Sequence, residues 1–156
     1  MTENQWTQNT QTVVQHAQQQ AVEANHSEIS DAHLLHALLT QDRQVMPFLC
    51  AQMQLPLERI VATLQRELQG RATVQGTSPR LSPTAAQCLQ QAWQFTQQKG
   101  DQFMATQHLL MGILKGKGTA AQLLRDSGAT QEALERAIDQ LQQGEKVTSA
   151  SAEDKI

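Results

Sequence analysis

The chain is poor in aromatic side chains: they make up 3% of it, and tyrosine is absent. A core must therefore be built from Leu, Ile, Val, Ala and Met. Positive charge is not in excess either. Twelve Lys and Arg stand against fifteen Asp and Glu, for a net charge of −3. Nucleic-acid binding needs clustered cations to neutralise phosphates, so that function class is excluded on this reading. No apolar run approaches the roughly 20 residues that cross a bilayer. The start, Met1-Thr2-Glu3-Asn4-Gln5, lacks the basic and apolar regions of a secretory signal. A cytoplasmic protein without membrane contact is expected. There are two cysteines, Cys50 and Cys88, each inside an apolar pattern. Both read as small buried hydrophobes. A disulfide or a metal pair is the alternative, although two cysteines without close spacing make no metal signature.

What the sequence does contain is helical periodicity. Its 156 residues, 39% apolar, fit one domain of ordinary size. Trp6, Thr10, Val13, Val14, Ala17, Ala21 and Ala24 follow the 3.6-residue period of a first helix. Asn25-His26-Ser27 interrupts it, and Ser30 or Asp31 caps a short helix bearing Leu34, Leu35, Leu38 and Leu39. Met46, Phe48, Leu49 and Met53 mark a third helix, with Pro47 tolerable in its first turn. Pro56 opens a fourth, with Ile60, Leu64 and Leu68 on one face. Residues 70–81 hold two Gly, one Pro and several hydroxyls, and read as a loop.

The pattern then starts again. Ser82-Pro83 is a helix start, and Ala85, Cys88, Leu89, Ala92 and Thr96 repeat the first face. Gly100 is a left-handed stop. Thr106 is expected to cap a helix with Leu109, Leu110, Ile113 and Leu114, and Thr119 the next, which Gly128 ends. Thr130 begins the last helix, whose face runs through Leu134, Ala137, Ile138 and Leu141. The segment His33-Leu-Leu-His-Ala-Leu-Leu39 matches His108-Leu-Leu-Met-Gly-Ile-Leu114 at an offset of 75. The same offset carries Val14 onto Leu89, Ala17 onto Ala92, Ile29 onto Met104 and Leu49 onto Leu124. A one-residue slip then carries Ile60 onto Leu134 and Leu64 onto Ile138. The expected fold is all-α: two tandem four-helix repeats, residues 5–69 and 82–142, packed with pseudo-twofold symmetry to bury the faces each leaves open. Residues 143–156 have little to bury and read as a flexible linker.

Sharper chemical readings fare poorly. Gly112-Ile-Leu-Lys-Gly116-Lys117-Gly118-Thr119 is one residue short of a phosphate loop, lacks its hydroxyl and follows a helix, not a strand. His33 and His36 could share a metal, yet no further ligand stands at a matching position. His33 also recurs as His108 beside the leucine pair, which favours a packing role with a ring nitrogen bonded to backbone. Glu132, Glu135 and Asp139 form a solvated face. No catalytic constellation emerges.

The doubled T…A…A…HLL…LL pattern resembles the Clp N-terminal repeat domain, up to Leu141. Lys117–Thr130, Ala137-Ile-Asp-Gln-Leu, Gly144-Glu-Lys-Val and Ala152-Glu-Asp154 look like the branch found in ClpB-type protein disaggregases. The resemblance implies a non-enzymatic module that captures unfolded or aggregated polypeptide for an ATP-driven hexamer. ATP would be bound by AAA+ modules that this sequence does not include, with no cofactor in this chain. By position, the family's substrate-contacting polar residues fall at Thr7, Asp101 and Gln107. Gln107 departs from the acid the family often has there. Leu81, Leu89, Phe103 and Met104 are the candidate groove walls by neighbourhood, with a core role as the alternative for Phe103 and Met104. An isolated monomer is expected. An adaptor-docking domain like that of ClpA or ClpC relatives, binding a folded partner, and a passive spacer are the rival readings.

Overall fold

The computed structural model describes residues 3–155; Met1, Thr2 and Ile156 lie outside the described residues, and with them the first part of the expected polar start. Eight helices are present among the described residues. α1 (Gln8–Glu23), α2 (Asp31–Gln41), α3 (Val45–Gln52) and α4 (Leu57–Gln69) form the first repeat. α5 (Pro83–Gln98), α6 (Thr106–Leu114), α7 (Thr119–Asp126) and α8 (Gln131–Gln142) form the second. The architecture is the expected one, all-α with two four-helix repeats.

α2 and α6 are the centre of the molecule. All nine residues of α6 are buried, as are the first nine of α2. A helix apolar around most of its circumference must be covered on all sides. Leu34, Leu35, Leu38, Leu109, Leu110 and Ile113 are each at most 1% exposed. Burial of each such side chain is worth about 1.5–3 kcal/mol. The outer helices bury one stripe each, among them Val13, Ala17 and Ala21 on α1 and Cys88, Leu89 and Ala92 on α5. Both cysteines are free and buried, and burial pushes their thiols up, Cys50 to about 11 and Cys88 to about 12. They are inert packing groups at neutral pH.

The two repeats are stitched by strands that the periodicity did not predict. β1 (Glu28–Ile29) pairs in parallel with β2 (Arg80–Leu81), and Trp6 bridges Met104 in the same sense. Trp6 stands to Leu81 as Ile29 stands to Met104, so the segment entering each repeat pairs with the internal turn of the other. Two-residue strands carry no alternation, which is why they are invisible to pattern reading. The same exchange places the caps. Thr7 Oγ accepts the Thr10 N–H (3.2 Å) and Ser82 Oγ the Ala85 N–H (3.0 Å), while Thr7 N–H donates to Met104 O and Ser82 N–H to Ile29 O. Such a cap is worth about 1 kcal/mol.

Three expectations are corrected. Thr106 and Thr119 are first helical residues, not caps; the caps are Ala105 and Gly118. Asp31, brought in by α2, takes the Ala120 N–H (2.9 Å), and Asp42 takes the Thr106 hydroxyl, so carboxylates from the other repeat serve these helix starts. Second, the one-residue slip lies before α3, not after it. Leu55 N–H bonds Cys50 O and Ala129 N–H bonds Leu124 O, so Cys50, not Leu49, is the partner of Leu124. Third, residues 143–153 are not a free linker in this structure. Gln143 (φ 47°) and Gly144 (φ 83°) both take left-handed backbone and reverse the chain. Val147 and Glu153 are then buried against the second repeat.

Candidate functional site

Each repeat carries a histidine at the third position of its central helix, and both are neutral for a geometric reason. Ser30 N–H donates to His33 Nδ1 (2.9 Å), and Ala105 N–H donates to His108 Nδ1 (2.8 Å). A backbone N–H can only donate, so Nδ1 is an acceptor and the ring proton sits on Nε2. Burial pushes His33 down to about 4, with His26, Arg71 and His36 adding to it. Burial likewise lowers His108, against the opposing pull of Asp101. The expected packing role with a backbone bond therefore holds for both. Among the described residues, no group of three His, Cys, Asp or Glu is placed to hold a metal.

The Nε2–H of His108 reaches Asp101 Oδ2 at 2.8 Å, both side chains fully enclosed. Burial alone would raise Asp101. The bonds from His108, Val147 N–H and Gln142 outweigh it and hold the carboxyl below its ordinary value. Asp101 Oδ1 accepts Val147 N–H (2.9 Å) and Gln142 Nε2 (3.3 Å), and Gln142 Oε1 accepts Gln107 Nε2 (3.2 Å). Asp101 and Gln107 are thus joined through one side chain, Gln142. Glu153 Oε2 accepts the Thr106 N–H (3.1 Å) and also bonds Thr7. Its carboxyl is raised by burial despite these bonds.

All three polar candidates are buried, Thr7 and Asp101 against the tail through Glu153 and Val147 and Gln107 against Gln142, and they are thereby gathered along the tail and the end of α8. The apolar candidates are not gathered there. Leu89 and Met104 lie in the core, 5% and 0% exposed, and cannot wall an open groove. Leu81 is exposed, at 41%, on β2 beside the first repeat. Phe103 is half-buried. Leu89 is on the buried stripe of α5 and Met104 in the bridge to Trp6, so packing by other elements covers both.

An open cleft lies between α3, α8 and the returning tail. It has a volume of about 850 Å³ and is bordered by Gln44, Phe48, Gln107, Leu141, Val147 and Glu153. Phe48 and Leu141 are partly buried apolar walls. Gln107, only 1% exposed, keeps its Oε1 without a hydrogen-bond partner. An unpaired buried acceptor costs about 1–3 kcal/mol unless a ligand donor reaches it. Phe48, Leu141, Gln142, Val147 and Glu153 were not singled out from the sequence. The usable signal was Val147, a lone branched aliphatic in a polar stretch three residues after a glycine.

The chain matches the family model of the Clp repeat (R) N-terminal domain over residues 5–127. Among curated relatives it is similar to the chaperone protein ClpB of Bacteroides thetaiotaomicron, 31% identical over 151 residues, 97% of this chain and 18% of that protein. ClpB of Porphyromonas gingivalis is 35% identical over 144 residues, covering 90% and 17%. The chain thus spans less than a fifth of the length of these relatives. In fold it is similar to the Hsp104 N-terminal domain of Candida albicans, with a TM-score of 0.81 at 19% identity, covering 93% of this chain and 96% of that one. It is also similar to a ClpV N-domain solved in complex with a VipB peptide, with a TM-score of 0.72 at 17% identity, covering 96% and 90%. The chain belongs to the Clp repeat (R) N-terminal domain family.

Proposed function

We propose that this chain is a non-catalytic capture domain that binds unfolded or aggregated polypeptide and passes it to an ATP-driven hexamer of the ClpB kind. The observation that carries the reading is Gln107. Its Oε1 is buried without a partner, and the residue borders a cleft walled by Phe48 and Leu141. An unfolded chain offers what such a cleft lacks, backbone N–H donors alternating with apolar side chains. Contact through one acceptor and two apolar walls is weak, and repeated engagement around a hexamer supplies the avidity. In this reading the chain is cytoplasmic and uses no cofactor of its own. Among the described residues, no helix is long and apolar enough to cross a membrane.

Titration of the isotope-labelled chain with reduced, carboxymethylated α-lactalbumin tests this. Shifts confined to Phe48, Gln107, Leu141 and their neighbours are expected. A saturating titration without localised shifts sinks the reading. A second reading, docking of one defined partner, is favoured by the ClpV N-domain having been solved with a VipB peptide. Recovery of a single stoichiometric folded protein on the immobilised chain, with no lactalbumin binding, would select it.

A further inference from the structure

The returning tail is bound to the second repeat as an extended peptide is bound to a receptor. Val147 N–H donates to Asp101 Oδ1, and Val147 O accepts from Gln102 N–H (2.8 Å) and Phe103 N–H (3.3 Å). Ala150 O accepts the Gln8 N–H (2.8 Å), one of the free donors at the start of α1. Glu153 takes the free donor at the start of α6 through Thr106 N–H. Main-chain bonds at several points with one buried side chain between them is the usual form of peptide recognition. Val147 is 5% exposed, yet it is not part of the contiguous apolar core.

The first repeat holds the segment that follows it differently: Arg71 Nη1 donates to Ser30 Oγ (2.6 Å) and Val74 N–H to Asn25 O (2.7 Å). Its counterpart cleft, about 500 Å³, is open and bordered by His26, Ser30, Asp31, Arg71, Ser82 and Pro83. Pro83 borders this cleft where Gln8 borders the groove under the tail, and proline has no N–H to satisfy. His26 stands where the second repeat has Asp101. Two of the groups that hold the tail, an N–H donor and a carboxylate, are therefore replaced at the first repeat's cleft. Two buried polar atoms also lack partners among the described residues, Trp6 Nε1 and Gln107 Oε1. Each belongs to a segment that the tail touches.

We propose that the groove beneath residues 145–153 is a peptide-binding site whose resident occupant is this chain's own tail. Its ligand class follows from the occupant: an extended segment with a branched aliphatic, small residues after it, and a carboxylate six positions on, as in Val147-Thr-Ser-Ala-Ser-Ala-Glu153. The inference deepens the capture reading and rests on it, since external polypeptide would compete with the tail for Asp101 and the starts of α1 and α6.

The test uses the full chain. Val147→Asp should release the tail, and Glu153→Gln should weaken its hold while preserving shape. Amide exchange at Gln8 and Gln102 should be slow in the unmodified chain and at least tenfold faster in V147D. A labelled peptide of residues 145–155, added in trans, should bind V147D at least tenfold more tightly than the unmodified chain, with E153Q between them. Equal amide exchange in the unmodified chain and V147D would overturn the inference. So would released amides in V147D with no gain in peptide binding. If V147D loses its helical circular dichroism, the E153Q comparison decides alone, and an unchanged peptide affinity there overturns the proposal. Reduced, carboxymethylated α-lactalbumin separates the two claims. Peptide binding without lactalbumin binding keeps the groove and sinks capture. Equal lactalbumin binding to every variant, with no peptide binding, keeps capture and sinks the groove.

Discussion

In the first repeat His33 Nε2–H donates to His26 Nδ1 at 2.9 Å; in the second, His108 Nε2–H donates to Asp101 Oδ2 at 2.8 Å. The backbone around the two acceptors is the same. His26 N–H bonds Ala21 O and Asp101 N–H bonds Thr96 O, each after a left-handed residue, Asn25 and Gly100. One frame therefore carries two chemistries. A neutral imidazole accepts one bond and leaves its far side to an open pocket of about 390 Å³. A carboxylate accepts from a ring, an amide side chain and a backbone N–H together, and so gathers α6, α8 and the tail around itself. Replacement of a single acceptor separates a repeat whose following segment bonds Ser30 and Asn25 from one whose following segment bonds the acceptor itself.

The largest test of that comparison concerns how close the paired helices lie. Gly112 on α6 stands where α2 has Ala37, and a Cβ there would overlap Cys88 O and Ala92 on α5. Gly112→Ala should cost about 3 kcal/mol, because packed helices must separate. Ala37→Gly should cost about 1 kcal/mol, the ordinary helix penalty. Urea denaturation of both variants measures the difference, and equal costs would mean that the two helix pairs are packed alike.

Asp101→Ala should cost about 2 kcal/mol, since it strands the His108 Nε2–H, the Gln142 amide and the Val147 N–H. His26→Ala should cost under about 1 kcal/mol, for its pocket admits water to the His33 ring. Comparable losses would remove the asymmetry argued above.

Acid sharpens the comparison. His33 titrates at about 4 when folded and near 6.5 when unfolded. The unfolded chain therefore binds more protons between those values, and stability falls as pH drops through that window. Between pH 7.5 and 5.5 the loss from His33 should be about 1 kcal/mol. Asp101, held low, contributes stability that disappears only further down, in the carboxylate range. Urea midpoints across pH 7.5 to 4.5 should decline early in the unmodified chain and later in His33→Asn. A profile left unchanged in that variant would place the early loss elsewhere.

The smallest effect is the most specific. His26→Asp installs the second repeat's acceptor in the first, and should raise the His33 titration by about one unit or more, because a carboxylate favours the imidazolium. The ring proton shift of His33 followed by NMR reports it directly. No movement would show that the environment, not the acceptor, sets the value.

Much of this was legible in sequence. The 75-residue offset located the repeats, and the caps Thr130 and Ser82 and the stops Gly100 and Gly128 stand where turn chemistry placed them. Thr7, Asp101 and Gln107, carried over by position, lie buried along the tail and the end of α8. Leu89 and Met104 failed as groove walls, since exposure depends on which element packs over a residue: α5 packs on α6, and Met104 on Trp6. The tail misled for a related reason. Composition reports how much a segment can bury, and residues 143–153 bury little apart from one valine and one glutamate.

The sequence by itself determined the period, the doubling, the helix limits to within a residue or so and the all-α class. These are properties of neighbours within a few positions, where backbone preference and amphipathic spacing act. The tertiary structure alone decided how each repeat holds the segment that follows it. That choice hangs on a carboxylate, an N–H and a returning tail meeting across a gap that no local pattern spans.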